Sequence, residues 1–161
     1  MRGARRLSDL ANHPDPLLEL DRAAMRIHRA PGAGRDEAAG AAEWEQVAGL
    51  TVNRDHVAVL VPVAEQDPGP DPRLVRPPRV VRVKLVCRAA VVTGFIRVPL
   101  EATIASFLHE TRARFIAVTD ARVLGSPGGA DLGELEGAHP FCLVNRGHVA
   151  ACAEAMPTAI L

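Results

Sequence analysis

The chain of 161 residues has no Tyr, one Trp and four Phe. Aromatic packing is therefore scarce, and so are rings on which nucleic-acid bases could stack. The core must rest on Val, Leu, Ile and Ala, and Val is densest between Val80 and Val98, which favours strands. Lysine is almost missing as well: Lys84 is the single one, and the other basic residues are Arg. The cysteines Cys87, Cys142 and Cys152 are odd in number and make no C-x-x-C, so neither a disulfide framework nor a zinc site is suggested. No apolar run reaches the roughly 18 residues that a membrane span needs. The basic start, Met1 to Arg6, is not followed by a hydrophobic segment, so it does not read as a secretory signal. A cytoplasmic protein with no membrane partner is the expectation.

Catalytic signatures are missing too. The serines are Ser8, Ser106 and Ser126, and none lies in a G-x-S-x-G elbow. Gly125, Gly128 and Gly129 are not followed by the G-K-[ST] of a phosphate loop. No carboxylate pair stands out for acid–base work. The reading is a protein that is not an enzyme and takes no cofactor.

What the sequence does contain is a stretch written twice. Val52-Asn53-Arg54-Asp55-His56-Val57-Ala58 returns as Val144-Asn145-Arg146-Gly147-His148-Val149-Ala150, with only Asp55 and Gly147 differing. Upstream, Leu7 and Leu10 match Ile104 and Phe107, and Leu17-Leu18-Glu19-Leu20 matches Phe115-Ile116-Ala117-Val118. The order is preserved over about 50 residues, with length changes confined to loops, as a duplicated structural unit requires. Around the shared stretch, apolar residues on both sides of a polar Asn-Arg corner predict two strands joined by a tight turn.

Along the first half, residues 7–12 predict a short helix ended by His13-Pro14. Strands are expected over 17–27, with an irregularity near Ala23-Ala24 and a helix as the competing reading of that segment, then over 44–52 and 56–63. Pro68, Pro70, Pro72, Pro77 and Pro78 mark a stiff linker. Along the second half, Val81-Arg82-Val83-Lys84-Leu85 alternates as a strand with one buried face does. Val91 to Val98 predicts another strand, bent at Gly94. Leu100, Ile104, Phe107 and Leu108 share one helix face, with Pro99 at its start. Phe115–Leu124, Phe141–Val144 and His148–Glu154 complete the set, with His139-Pro140 read as loop. The predicted fold is mainly β with short helices (α+β). It divides into an incomplete first copy (1–66), a Pro-rich linker (67–78) and a complete second copy (79–156). The first copy is expected to have its exposed edge covered by the second or by another chain.

The order strand, bent strand, helix, strand, long loop, strand, tight turn, strand resembles the small Sm-like and SH3-like barrels. It does so through Val83–Leu85, Gly94 and the Asn145-Arg146-Gly147-His148-Val149 corner. Arg6-Leu7-Ser8-Asp9-Leu10-Ala11-Asn12, Leu17–Ala23 and Val52-Asn53-Arg54-Asp55-His56-Val57 resemble a bacterial family of small β-rich proteins. Its pattern is R-L-S-D-x-L-N, then a strand ending in Ala, then V-N-(K/R)-x-x-I; it brings no activity with it. In Sm-like proteins an Arg-Gly at this turn helps hold RNA, which Arg146-Gly147 matches. The companion Asp…Met-Asn element of those proteins is absent here.

Charge is divided unevenly. Residues 1–71 hold eight Arg against twelve acids, and residues 72–161 hold eleven cations against seven acids. Arg73 to Arg97 carries seven cations and no acid. Halves of opposite sign can dock, within a chain or between chains. The candidate binding residues are therefore the repeated Asn53, Arg54, His56, Asn145, Arg146 and His148, with Arg82 and Lys84 on the basic strand. Protein partners, including self-association, come first. Nucleic acid on the basic face is the alternative, and a small-ligand or metal site from His139, Cys142, His148 and Cys152 is the third. No metal is assigned, because their spacing fits no ligand motif.

Overall fold

The computed structural model describes residues 7–25, 45–62, 78–126 and 132–155. These contain helix α1 (Leu7–Ala11), strands β1 (Leu17–Met25), β2 (Glu45–Asn53), β3 (Val59–Leu60), β4 (Arg79–Cys87) and β5 (Ala90–Val98), and helix α2 (Ile104–Glu110). Strands β6 (Phe115–Gly125), β7 (Gly137–Asn145) and β8 (Val149–Glu154) follow. Three-residue 3-10 turns lie at Arg54–His56, Gly133–Leu135 and Arg146–His148. The described part is mainly β, with two short helices, and most of the linker expected at 67–78 lies outside it.

β1 and β2 form an antiparallel ribbon, and the other strands form one antiparallel sheet in the order β3-β7-β6-β5-β4-β8. β7 and β8 are joined by the single turn Arg146–His148, yet three strands separate them in that order. A sheet can satisfy both conditions only by curling, so that the β7 side and the β8 side meet at the turn. The alternation read at β4 holds: Val81, Val83, Leu85 and Cys87 are buried, while Val80, Arg82 and Lys84 face out. On β5, Val92, Gly94, Ile96 and Val98 point inward. With Ile116, Val118, Val123, Cys142 and Val144 they fill the inside of the curl.

The bend sits where Gly94 places it, but the extra residue is on the neighbouring strand. Thr93 pairs with Arg122 and Phe95 with Thr119, so Gly94 stands opposite both Asp120 and Ala121. A Cβ on Gly94 would lie 2.6 Å from Val118 Cγ1 and 2.7 Å from the Thr119 carbonyl. Asp120 takes the left-handed φ of 45° that this bulge demands.

Four local expectations are corrected. The β1–β2 register runs from Leu17↔Asn53 to Met25↔Glu45 with no shift, so Ala23-Ala24 carries no irregularity. The strand expected over 56–63 shrinks to Val59–Leu60, because Arg54–His56 is spent on a 3-10 turn. α2 starts later than Pro99 predicts. Thr103 is its cap, its Oγ1 accepting from Ser106 N–H at 3.0 Å, and Leu100 is left outside and 54% exposed. Finally, His139-Pro140 belongs to β7. Pro is tolerated there because it stands opposite the bulge residue Asp120, where the β6–β7 ladder skips a pair.

A second apolar cluster lies on the other face of β6 and β7. Phe115, Phe141 and Leu143 are buried there, with Ala117 beside them. They are covered by Leu7 and Ala11 of α1 and by Val57 and Leu60 around β3. The early part of the chain thus supplies the lid over this face.

Candidate functional site

The two copies of the repeated stretch fold into the same corner. Asn53 has φ −73° and ψ 120°, and Asn145 has φ −70° and ψ 116°. Each accepts through Oδ1 a hydrogen bond from the backbone N–H two residues on, Asp55 or Gly147, at 2.9 Å. Each turn closes when Val57 or Val149 donates its N–H to the carbonyl of Arg54 or Arg146. Each Arg donates its backbone N–H to the residue just before the paired strand β1 or β6, Arg54 to Pro16 and Arg146 to Arg114, both at 2.8 Å. The registers agree as well: Leu17 faces Asn53 as Phe115 faces Asn145.

The turns also meet, and here they differ. Asn145 donates its backbone N–H to the Ala58 carbonyl at 2.8 Å and its Nδ2 to the Arg54 carbonyl at 3.0 Å. His148 donates from Nε2 to the Asp55 carbonyl at 2.6 Å. Arg114 lies 3.4 Å from the Asp55 carboxylate. Beyond the corner, Val59 and Leu60 pair with Val144 and Leu143. Across this seam the later turn supplies donors and the earlier turn supplies carbonyls. Asn12 adds a clamp at the far end, accepting from Phe115 N–H at 2.7 Å and donating to the Phe115 carbonyl at 3.0 Å.

The two repeated arginines, both candidate binding residues, make hydrogen bonds within the molecule. Arg54 is buried, and its guanidinium donates to the Asp15 carbonyl. Arg146 donates to the carbonyls of Leu108 and His109 at the end of α2, at 3.2 and 3.4 Å. A guanidinium suits this work, since carbonyls left over at a helix end need donors. Asn145 is 3% exposed and committed to the seam, whereas Asn53 is only half-buried and His56 is exposed.

Arg82 and Lys84 stand apart, on the outward face of β4. Register sets Lys84 beside Thr93 and Thr93 beside Arg122, with Arg82 beside Phe95 and Val80 beside Arg97. None of these positions carries an acid. The potential metal set does not converge. His139 donates to the Leu135 carbonyl, Cys142 sits inside the curl, and His148 is turned to Asp55. Among the described residues no three His, Cys, Asp or Glu side chains gather as metal ligands. Burial pushes the Cys142 thiol up to about 12, with the neighbouring Cys87 adding to it, and burial also raises Cys87 and Cys152. None of the three thiols is prepared as a nucleophile.

Three contributors escape a reading by motif: Asp55, Arg114 and Arg122. Asp55 is the one position at which the repeated stretches differ, which was a usable signal. Arg114 and Arg122 carried none, because only strand pairing brings them to their partners.

No family model, no curated protein and no solved structure matches this chain. No helix among the described residues is long and apolar enough to cross a membrane.

Proposed function

We propose that this is a non-catalytic assembly or partner-binding protein, built from two copies of one small barrel-like unit, the first copy incomplete. The observation that carries this reading is the one-sided seam between the 54–56 and 146–148 turns. Donors on the later copy meet carbonyls on the earlier one, in the head-to-tail manner of a heterologous subunit contact. Support for the repeated unit comes from the matching turns, caps and strand registers. The curl β7-β6-β5-β4-β8, closed by a 3-10 turn, supports the likeness to Sm-like and SH3-like barrels. Among the described residues the first copy is represented by α1, β1, β2 and β3. Its apolar side chains rest on the outer face of β6 and β7. Light scattering over a hundredfold concentration range tests the self-association side of the reading. A weight-average mass that rises with concentration is expected; a constant monomer mass would remove self-assembly from it.

A second reading is favoured by a separate observation, the cations Arg82, Lys84, Arg97 and Arg122 that strand pairing gathers around Phe95 on the outer face of β4, β5 and β6. This is a surface for a polyanion such as single-stranded nucleic acid. Titration of a labelled oligonucleotide at two salt concentrations checks it, since phosphate contacts make affinity fall steeply with salt. Replacing Arg82, Lys84 and Arg122 together with Ala should then abolish binding. Absence of binding to the unaltered protein at low salt would dismiss the reading.

A further inference from the structure

We propose that the outer edge of β8 in one molecule docks on the outer edge of β2 in a second copy of this chain, repeating between molecules the seam made within each. The inference rests on the assembly reading above and names its contact.

The donors of the internal seam are Asn145 N–H, Asn145 Nδ2 and His148 Nε2. The first copy carries the same set in Asn53 and His56. Because Leu17 faces Asn53 as Phe115 faces Asn145, the Asn53 N–H points away from β1, as that of Asn145 points away from β6. The acceptors of the internal seam are the carbonyls of Arg54, Asp55 and Ala58. Their counterparts in the second copy are those of Arg146, Gly147 and Ala150. The Arg146 carbonyl accepts from Val149, as that of Arg54 accepts from Val57, and in each a second lone pair remains. One end of the chain thus offers the donor half of the seam, and the other end the acceptor half.

Among the described residues, β2 pairs with β1 alone and β8 with β4 alone. Neither β2 (EQVAGLTVN) nor β8 (VAACAE) contains the Lys, Arg or Pro with which exposed edges are usually blunted. The small side chains of Ala150, Ala151 and Ala153 also leave room for a strand to approach.

One part of the seam does not repeat. Phe115, Ala117, Phe141 and Leu143 form the apolar socket, and their counterparts are Leu17, Glu19, Gly49 and Thr51, all exposed. The ion pair of Asp55 with Arg114 is also lost, because Gly147 and Pro16 stand in those places. The contact between molecules is therefore backbone pairing with polar clasps. It is weaker than the internal seam and reversible with concentration.

The register gives a sharp test. Val59↔Val144 and Leu60↔Leu143 transfer to Ala151↔Val52 and Cys152↔Thr51. Directly paired Cα atoms lie about 4.5–5.5 Å apart, within the disulfide range of about 4.4–6.8 Å. Thr51 is exposed, so Thr51→Cys in the full chain is tolerated. Catalysed oxidation should yield a ladder of dimers, trimers and higher species on a non-reducing gel. The ladder should vanish in T51C/C152A and be absent from the unaltered protein. In parallel, N53A/H56A should weaken association at least ~10-fold by light scattering. Association without a Cys152-dependent ladder would overturn this contact and leave the assembly reading standing. A mass that never rises with concentration would remove both.

Discussion

The Asn145 amide donates to the Arg54 carbonyl at 3.0 Å, in a buried setting and across 91 positions of sequence. The same side chain accepts from Gly147 N–H through its oxygen, while its backbone N–H goes to Ala58. A single residue therefore shapes its own turn and fastens the early part of the chain to the late part. Asn53, identical in type and within a few degrees in backbone angles, does only the first of these jobs within the molecule.

That asymmetry makes the two asparagines unequal in stability. Asn145→Ala removes a cap and a buried long-range bond, and is expected to cost about 2–3 kcal/mol. Asn53→Ala loses only a cap and should cost about 1 kcal/mol. Urea unfolding of both variants at low protein concentration checks this. Equal losses would mean that the seam contributes nothing.

Gly94 is expected to tolerate no side chain. A methyl group there would press on the Thr119 carbonyl at 2.7 Å, and backbone cannot step aside cheaply. Gly94→Ala should cost about 2–4 kcal/mol. Gly49→Ala, whose nearest neighbour would be the Leu20 carbonyl at 3.9 Å, should be neutral within about 0.5 kcal/mol. Thermal melts of the two variants decide the matter.

Cys142 gives the protein an alkaline limit. Its thiol is raised from 9.0 to about 12 when folded. The unfolded chain therefore loses that proton first, and stability present below pH 9 should fall as the pH rises from about 9 toward 12. Cys142→Ala should flatten that slope in a series of melts. In the folded protein, half-buried Cys152 should react with a thiol reagent before Cys142 and Cys87.

The Asp55–Arg114 pair should matter little. Its carboxylate side chain is 61% exposed and the contact is 3.4 Å. Asp55→Ala is expected to change stability by less than about 1 kcal/mol, and by less again in high salt. His148→Ala removes the short donor to the neighbouring carbonyl and should cost more. The ratio of the two losses in denaturant melts is the measurement.

Some of this was legible without coordinates. Alternation in Val81–Leu85 announced β4, because a two-residue period with one apolar face has one ready solution. Gly94 announced the bend, since only glycine leaves a neighbouring strand room to cross so closely. The paired Asn-Arg corners announced the turns. The start of α2 was misplaced, because Pro99 and Leu100 fit a helix start as well as Thr103 does, and only the bond from Ser106 selects the last. The burial of Arg54 was not legible either. Sequence shows that a turn carries a cation, but not that Pro16 brings Asp15 under its guanidinium.

By itself, then, the order of residues determined the local elements: which segments are strands, where they bend, and that one corner occurs twice. Those features depend on near neighbours, on period and on backbone sterics, and each can be read in a short window. Tertiary structure alone decided which of two like corners gives hydrogen bonds and which receives them. It also decided that Leu7, Ala11, Val57 and Leu60 cover the back of β6 and β7. Such choices arise from contacts dozens of residues apart, where two nearly identical stretches acquire different neighbours and so do different work.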